Sequence, residues 1–104
     1  MEAVELEDVA IVIKPEKDNL AVVTAEFIAA GTDLKYGDQV LVISGRAVRG
    51  QSFAIKDIPE GAAFISLGDP IGLASVALKP GDPVGEASIQ RRLPRLRVQY
   101  RDNP

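Results

Sequence analysis

The sequence predicts a mainly β fold, a sandwich or barrel-like body of many short strands with little or no helix. Three observations carry this. Aliphatic and β-branched runs of five to nine residues recur along the chain, separated by turn signals about every eight to twelve residues. No long stretch holds a helical period. The 104 residues are 46% apolar but include just three Phe and two Tyr, so one domain with an aliphatic core is expected.

The elements follow in order. MEAVELED (1–8) is acidic and is expected to be a flexible N-terminus. VAIVIK (9–14) is apolar on both faces and predicts a buried strand. PEKDN (15–19) is a turn, because Pro fixes φ and Asp and Asn bond to nearby backbone. LAVVTAEFI (20–28) has an ambiguous period, but Val-Val-Thr favours a strand. Together they predict a hairpin over 9–28. KYGDQ (35–39) reads as a loop, VLVIS (40–44) as a strand and GRAVRGQ (45–51) as a basic, glycine-bounded loop. SFAIKDI (52–58) alternates, with Phe53 and Ile55 on one face and Ser52 and Lys56 on the other. AAFISL (62–67) and IGLASVAL (71–78) are strands parted by Gly68-Asp69-Pro70, and Gly72 marks a bulge or a close backbone approach. Asp82-Pro83 can open one helical turn, ended by Pro94. QRRLPRLRVQYRDNP (90–104) is Arg-rich and reads as a strap or linker, leaving residues 9–89 as the domain.

One motif occurs three times: Ile28-Ala29-Ala30-Gly31, Ile58-Pro59-Glu60-Gly61 and Leu78-Lys79-Pro80-Gly81. An apolar residue plugs the core at a strand end, two residues turn the chain, and Gly takes positive φ. The glycines are 30 and then 20 residues apart, which is no strict solenoid repeat. These are corners of a small β body.

Composition excludes several chemistries. There is no Cys, hence no disulfide and no thiol nucleophile, and no His, the usual general base near neutral pH and the commonest metal ligand. A metal site in this chain would be all oxygen. Its only loop carboxylate pair, Asp33 with Asp38, reads as solvated acids, so no metal or other cofactor is expected here. No glycine-rich phosphate motif is present. Residues 1–89 carry seven Lys and Arg against fourteen Asp and Glu, a net of −7. Residues 90–104 carry five Arg against Asp102, a net of +4. An acidic body whose basic segment offers one aromatic, Tyr100, argues against nucleic acid. No apolar run approaches the roughly 20 residues of a membrane span. The acidic start does not read as a secretory signal, and a cytoplasmic location is expected. Exposed edges of apolar strands admit a homodimer.

The corner Asp57-Ile58-Pro59-Glu60-Gly61 resembles the signature of the SAF domain, a β-clip module that includes the antifreeze-like domain of sialic acid synthases. VIKPEKDNLAVV, FIAAGT, GQSFAIKDIPEG and ISLGDPIGLA stand in the order found in the N-terminal SAF domain of altronate and galactarate dehydratases, over about residues 9–85. The same module is the separate small subunit of related lyases, a sulfolactate sulfo-lyase among them. Many of those relatives carry Gly-His-Lys where this chain has Gly50, Gln51 and Ser52. Many also carry His-x-His-Asn where this chain has Val84-Gly85-Glu86-Ala87-Ser88, an ending closer to the galactarate branch. No catalytic residue carries over.

The resemblance implies the N-terminal domain or small subunit of a hydro-lyase acting on a sugar-acid carboxylate, inactive alone. A larger catalytic domain or subunit, with any divalent metal, is the implied partner. Arg46, Arg49, Gln51, Ser52 and Lys56 are the candidate substrate-binding residues, since Arg grips carboxylates through a bidentate fork. The alternatives are a non-catalytic SAF binding or assembly module and the small subunit of a sulfo-lyase-like enzyme.

Overall fold

A computed structural model describes residues 3–92 and builds them from short strands joined by tight turns. The strands are β1 (Val4–Glu5), β2 (Ala10–Ile11), β3 (Leu20–Val23), β4 (Phe27–Ile28), β5 (Asp33–Tyr36) and β6 (Gln39–Val42). They continue with β7 (Ala47–Val48), β8 (Ser52–Ala54), β9 (Ala63–Ser66), β10 (Asp69–Ala74) and β11 (Ile89–Arg92). Single 3-10 turns lie at Leu6–Asp8 and Glu86–Ser88. The strands form four small sheets, ordered β1-β5-β6, β2-β3-β8, β4-β7 and β11-β10-β9. The predicted mainly β architecture is what the chain adopts, in a form consistent with a small β-clip.

The three corners are one turn built three times. Gly31, Gly61 and Gly81 have φ of 87°, 87° and 100°. The apolar residues that open them, Ile28, Ile58 and Leu78, are buried. Each turn closes with the same bond: Thr32 N–H donates to the Ala29 carbonyl at 3.2 Å, Ala62 to Pro59 at 3.0 Å, and Asp82 to Lys79 at 3.0 Å. Each corner glycine then donates across the fold, to the carbonyls of Ile43, Ala74 and Ala54 respectively. Asp82 thus closes the third corner, its carboxylate accepting the Lys79 amide at 2.9 Å. No α-helical turn opens there, and the short 3-10 turn comes later, at Glu86–Ser88.

The first two corners each lead into a hairpin, and the two hairpins match position by position. In the first, Tyr36 pairs with Gln39 around a Gly37-Asp38 turn, and Leu34 pairs with Leu41. In the second, Ser66 pairs with Asp69 around Leu67-Gly68, and Phe64 pairs with Gly72. Residue numbers shift by 30 from Tyr36 to Ser66 but by 31 from Leu41 to Gly72, because Ile71 is the extra residue of a bulge between Pro70 and Gly72. Gly72 therefore sits at the bulge its sequence position suggested. The bridge of Ile28 with Ala47 has its counterpart in that of Ile58 with Leu78.

Several expectations are corrected. The hairpin over 9–28 exists as Ala10↔Val23 and Ile11↔Val22, but the chain bends after Val23, and Phe27–Ile28 pairs with β7 instead. VAIVIK is not buried on both faces, since Ile11 and Ile13 are 44% and 46% exposed. KYGDQ is a loop only at Gly37-Asp38, and the basic loop contains β7. The N-terminal segment is not a free end over residues 4–8: β1 runs parallel to β5, and Leu6 is buried in the core. The C-terminal strap begins as a strand, β11, antiparallel to β10. Residues 1–2 and 93–104 lie outside the described residues.

The core is aliphatic apart from Phe53 and Phe64, and it falls into two clusters. One gathers Leu34, Leu41, Ile43, Phe53 and Ile55 around the first hairpin. The other gathers Leu20, Ala54, Ile58, Phe64, Ala74 and Leu78 around the second. Strand alternation makes β3 and β8 the wall between them, with Ala21, Val23 and Phe53 facing one cluster and Leu20 and Ala54 the other.

Candidate functional site

The basic loop carries the chain from β6 through β7 into β8 and is pinned by its own side chains. Ala47 is buried against Ile28, which leaves Arg46 and Val48 facing outward beside Phe27. The Arg46 guanidinium lies over the Phe27 ring, 4.5 Å from its centroid, a cation–π stack that leaves the edges of the guanidinium open to a ligand. Arg49 Nε donates to the Thr24 carbonyl at 3.2 Å, and its backbone amide to Glu26. Both arginines therefore stand over the 24–28 segment.

Gln51 is committed to the fold. Its Oε1 accepts the Val48 amide at 3.1 Å, and its Nε2 donates to the Val84 carbonyl at 3.4 Å. Ser52 pairs with Val22 on β3, and its carbonyl accepts the Val84 amide. Lys56 is exposed beyond the far end of β8, on the chain that enters the second corner. Arg46 and Arg49 thus share one surface, with Gln51 and Ser52 as the frame behind them and Lys56 apart.

A second site was not foreseen from the sequence. A cleft of about 510 Å³ opens between the first 3-10 turn, β2 and the tip of the first hairpin. Leu6, Ala10 and Val12 supply apolar lining, and Glu5, Glu7, Thr24, Lys35 and Tyr36 the polar lining, with Gly37 at the hairpin tip. None of the five predicted binding residues lines it. Glu5 and Lys35 are register partners on β1 and β5. Even so, their side chains form no ion pair or hydrogen bond among the described residues, and neither does that of Glu7. The only sequence signal for this cleft was the opposite charge of residues 5 and 35, which are far apart in the chain.

Asp18, read from sequence as turn chemistry, does more. It is 1% exposed. Its carboxylate accepts the Lys14 amide at 3.1 Å within its own turn. It also accepts the Leu67 amide at 3.1 Å and the Gly68 amide at 2.7 Å, at the tip of the second hairpin. Among the described residues no group of three or more acids could hold a metal ion; Asp33 and Asp38 are both exposed, on β5 and in the turn that follows it. Among the described residues no helix is long and apolar enough to cross a membrane.

Comparison with known proteins fits this architecture. The family model described as the altronate/galactarate dehydratase SAF domain matches residues 9–92. The altronate dehydratase of Escherichia coli (strain K12) is 36% identical over 87 residues, which cover 84% of this chain and 17% of that protein. The chain therefore spans under a fifth of that relative's length. With the three corners, the paired hairpins and the match from β2 to β11, this chain belongs to the SAF domain family of altronate/galactarate dehydratases.

Proposed function

We propose that this chain is the SAF component of a sugar-acid dehydratase of the altronate/galactarate type. It binds the substrate carboxylate at, or caps, the active site of a larger catalytic body in the cytoplasm, and it does not turn substrate over alone. The observation that carries this is the asymmetry of the match, which takes in most of this chain and a small part of the relative. Chemistry supports the division of labour. Dehydrating a sugar acid needs a base for the α-proton, an acid for the departing hydroxyl and a cation for the enediolate charge. This chain has neither His nor Cys, and its described residues offer no acidic metal cluster. Those groups belong to the partner, with any divalent metal. Arg46 and Arg49, side by side on one surface, are suited to hold a carboxylate.

The test is an assay of water loss from altronate and galactarate, first with the purified chain and then with the chain bound to its native catalytic partner. No turnover is expected alone, and turnover in the complex. Arg46→Ala and Arg49→Ala in the complex are expected to raise KM about tenfold with a smaller change in kcat, the pattern of lost ground-state binding. Robust turnover by the isolated chain would overturn the division of labour. A native complex inactive on both acids would overturn the substrate class.

A further inference from the structure

The cleft beside the first hairpin carries polar groups of both signs. Lys35 offers an ammonium, and Glu5 and Glu7 offer carboxylates that only accept hydrogen bonds. These side chains have no partner among the described residues. At about 510 Å³ the cleft lies within the usual range of small-ligand sites.

The fold contains its own template for what such a hairpin tip binds. In the second hairpin the tip amides of Leu67 and Gly68 hold the Asp18 carboxylate. Leu67 corresponds in register to Gly37 of the first hairpin. The two share a left-handed backbone, with φ of 56° and 61°. Gly37 lines the cleft, and its amide has no acceptor among the described residues. The second tip residue differs: Gly68 has φ of 82°, whereas Asp38 is not left-handed. The Gly37 amide alone is the equivalent donor, and Lys35 supplies a second, charged one nearby.

We propose that this cleft binds a polyhydroxylated carboxylate, with its carboxylate on Lys35 Nζ and the Gly37 amide and its hydroxyls donating to Glu5 and Glu7. The ligand class rests on the dehydratase reading above. Two glutamates against one lysine make the cleft repel a bare anion, so hydroxyl donors are what admit the ligand. Selectivity for a sugar acid over both a simple acid and a neutral polyol follows.

The test is a titration of the full 104-residue chain, labelled with 15N, using galactarate, altronate, galactitol and acetate as separate probes. Saturable shifts at the Lys35 and Gly37 amides are expected with the two sugar acids, and binding at least tenfold weaker with galactitol and acetate. Lys35→Met is expected to weaken sugar-acid binding at least tenfold, and Lys79→Met, a charge loss at an exposed residue outside the cleft, less than twofold. Lys35 is exposed, and an unchanged amide spectrum shows that its variant folds. Shifts confined to residues 45–52, or full affinity in Lys35→Met, would overturn the proposal. The complex assay separates the two ideas. An active complex whose KM is unmoved by Lys35→Met sinks the cleft and leaves the dehydratase reading standing. An inactive complex sinks the dehydratase reading, while shifts at Lys35 and Gly37 still uphold the cleft.

Discussion

The corner glycines share a conformation but not a neighbourhood, and that difference separates backbone strain from overlap. At Gly31 and Gly61 an added Cβ would meet nothing within 4 Å. At Gly81 it would overlap the Val42 carbonyl, which the third corner crosses at close range. Gly31→Ala and Gly61→Ala are therefore expected to cost about 1–2 kcal/mol each, the penalty of a left-handed L-residue. Gly81→Ala adds an overpacking term of about 1–3 kcal/mol, for a total loss of roughly 2–5 kcal/mol. Urea unfolding of the three variants measures this directly. Equal losses at all three positions would show that the Val42 contact relaxes at no cost.

At the scale of elements, the two hairpins are alike in register but fastened differently. The second is held at its tip by Asp18 and along its edge by Asn19, whose side chain mimics a strand: Nδ2 donates to the Ala63 carbonyl at 2.9 Å, and Oδ1 accepts the Ile65 amide at 2.8 Å. An edge covered in this way offers no pairing site to another chain. Asp18→Ala removes three charge-assisted bonds whose donors can partly recover water, so a loss of about 2–3 kcal/mol is expected. Hydrogen exchange is the discriminating measurement. Protection should fall at Leu67 and Gly68 and stay unchanged in β5 and β6, and equal loss in both hairpins would show that Asp18 acts globally. The corners are legible because apolar-turn-glycine is a local rule. The matched hairpins are not, because side chains at equivalent positions differ, as Lys35 and Tyr36 do from Ile65 and Ser66, and the bulge at Ile71 slips the register by one. At the site, the two arginines were legible as charge, but the stack on Phe27 depends on β4–β7 pairing, and the bond from Gln51 to Val84 spans 33 residues. The cleft depends on a parallel pairing of β1 with β5 that no local signal announces.

At the scale of the molecule, the question is whether two hairpin modules with two apolar clusters make one cooperative unit or two. The wall strands decide it. Leu20 and Ala21 are chain neighbours, yet they belong to different clusters, and so do Phe53 and Ala54. Neither cluster can lose its wall without exposing the other. Phe64 is wholly buried in the second cluster, and Phe64→Ala is expected to cost about 3–5 kcal/mol in lost transfer energy and cavity. That is a large part of the roughly 5–15 kcal/mol typical of a domain. If the wall couples the halves, slow amides of the first cluster, such as Ile43, which donates to Thr32 at 2.9 Å, lose as much protection as Ala74 in the second. Native-state hydrogen exchange on this one variant then gives equal falls on both sides of β3 and β8. Protection retained at Ile43 while Ala74 opens would mean that the modules unfold separately. The wall would then be a seam, and the cleft beside the first hairpin would survive the loss of the second half.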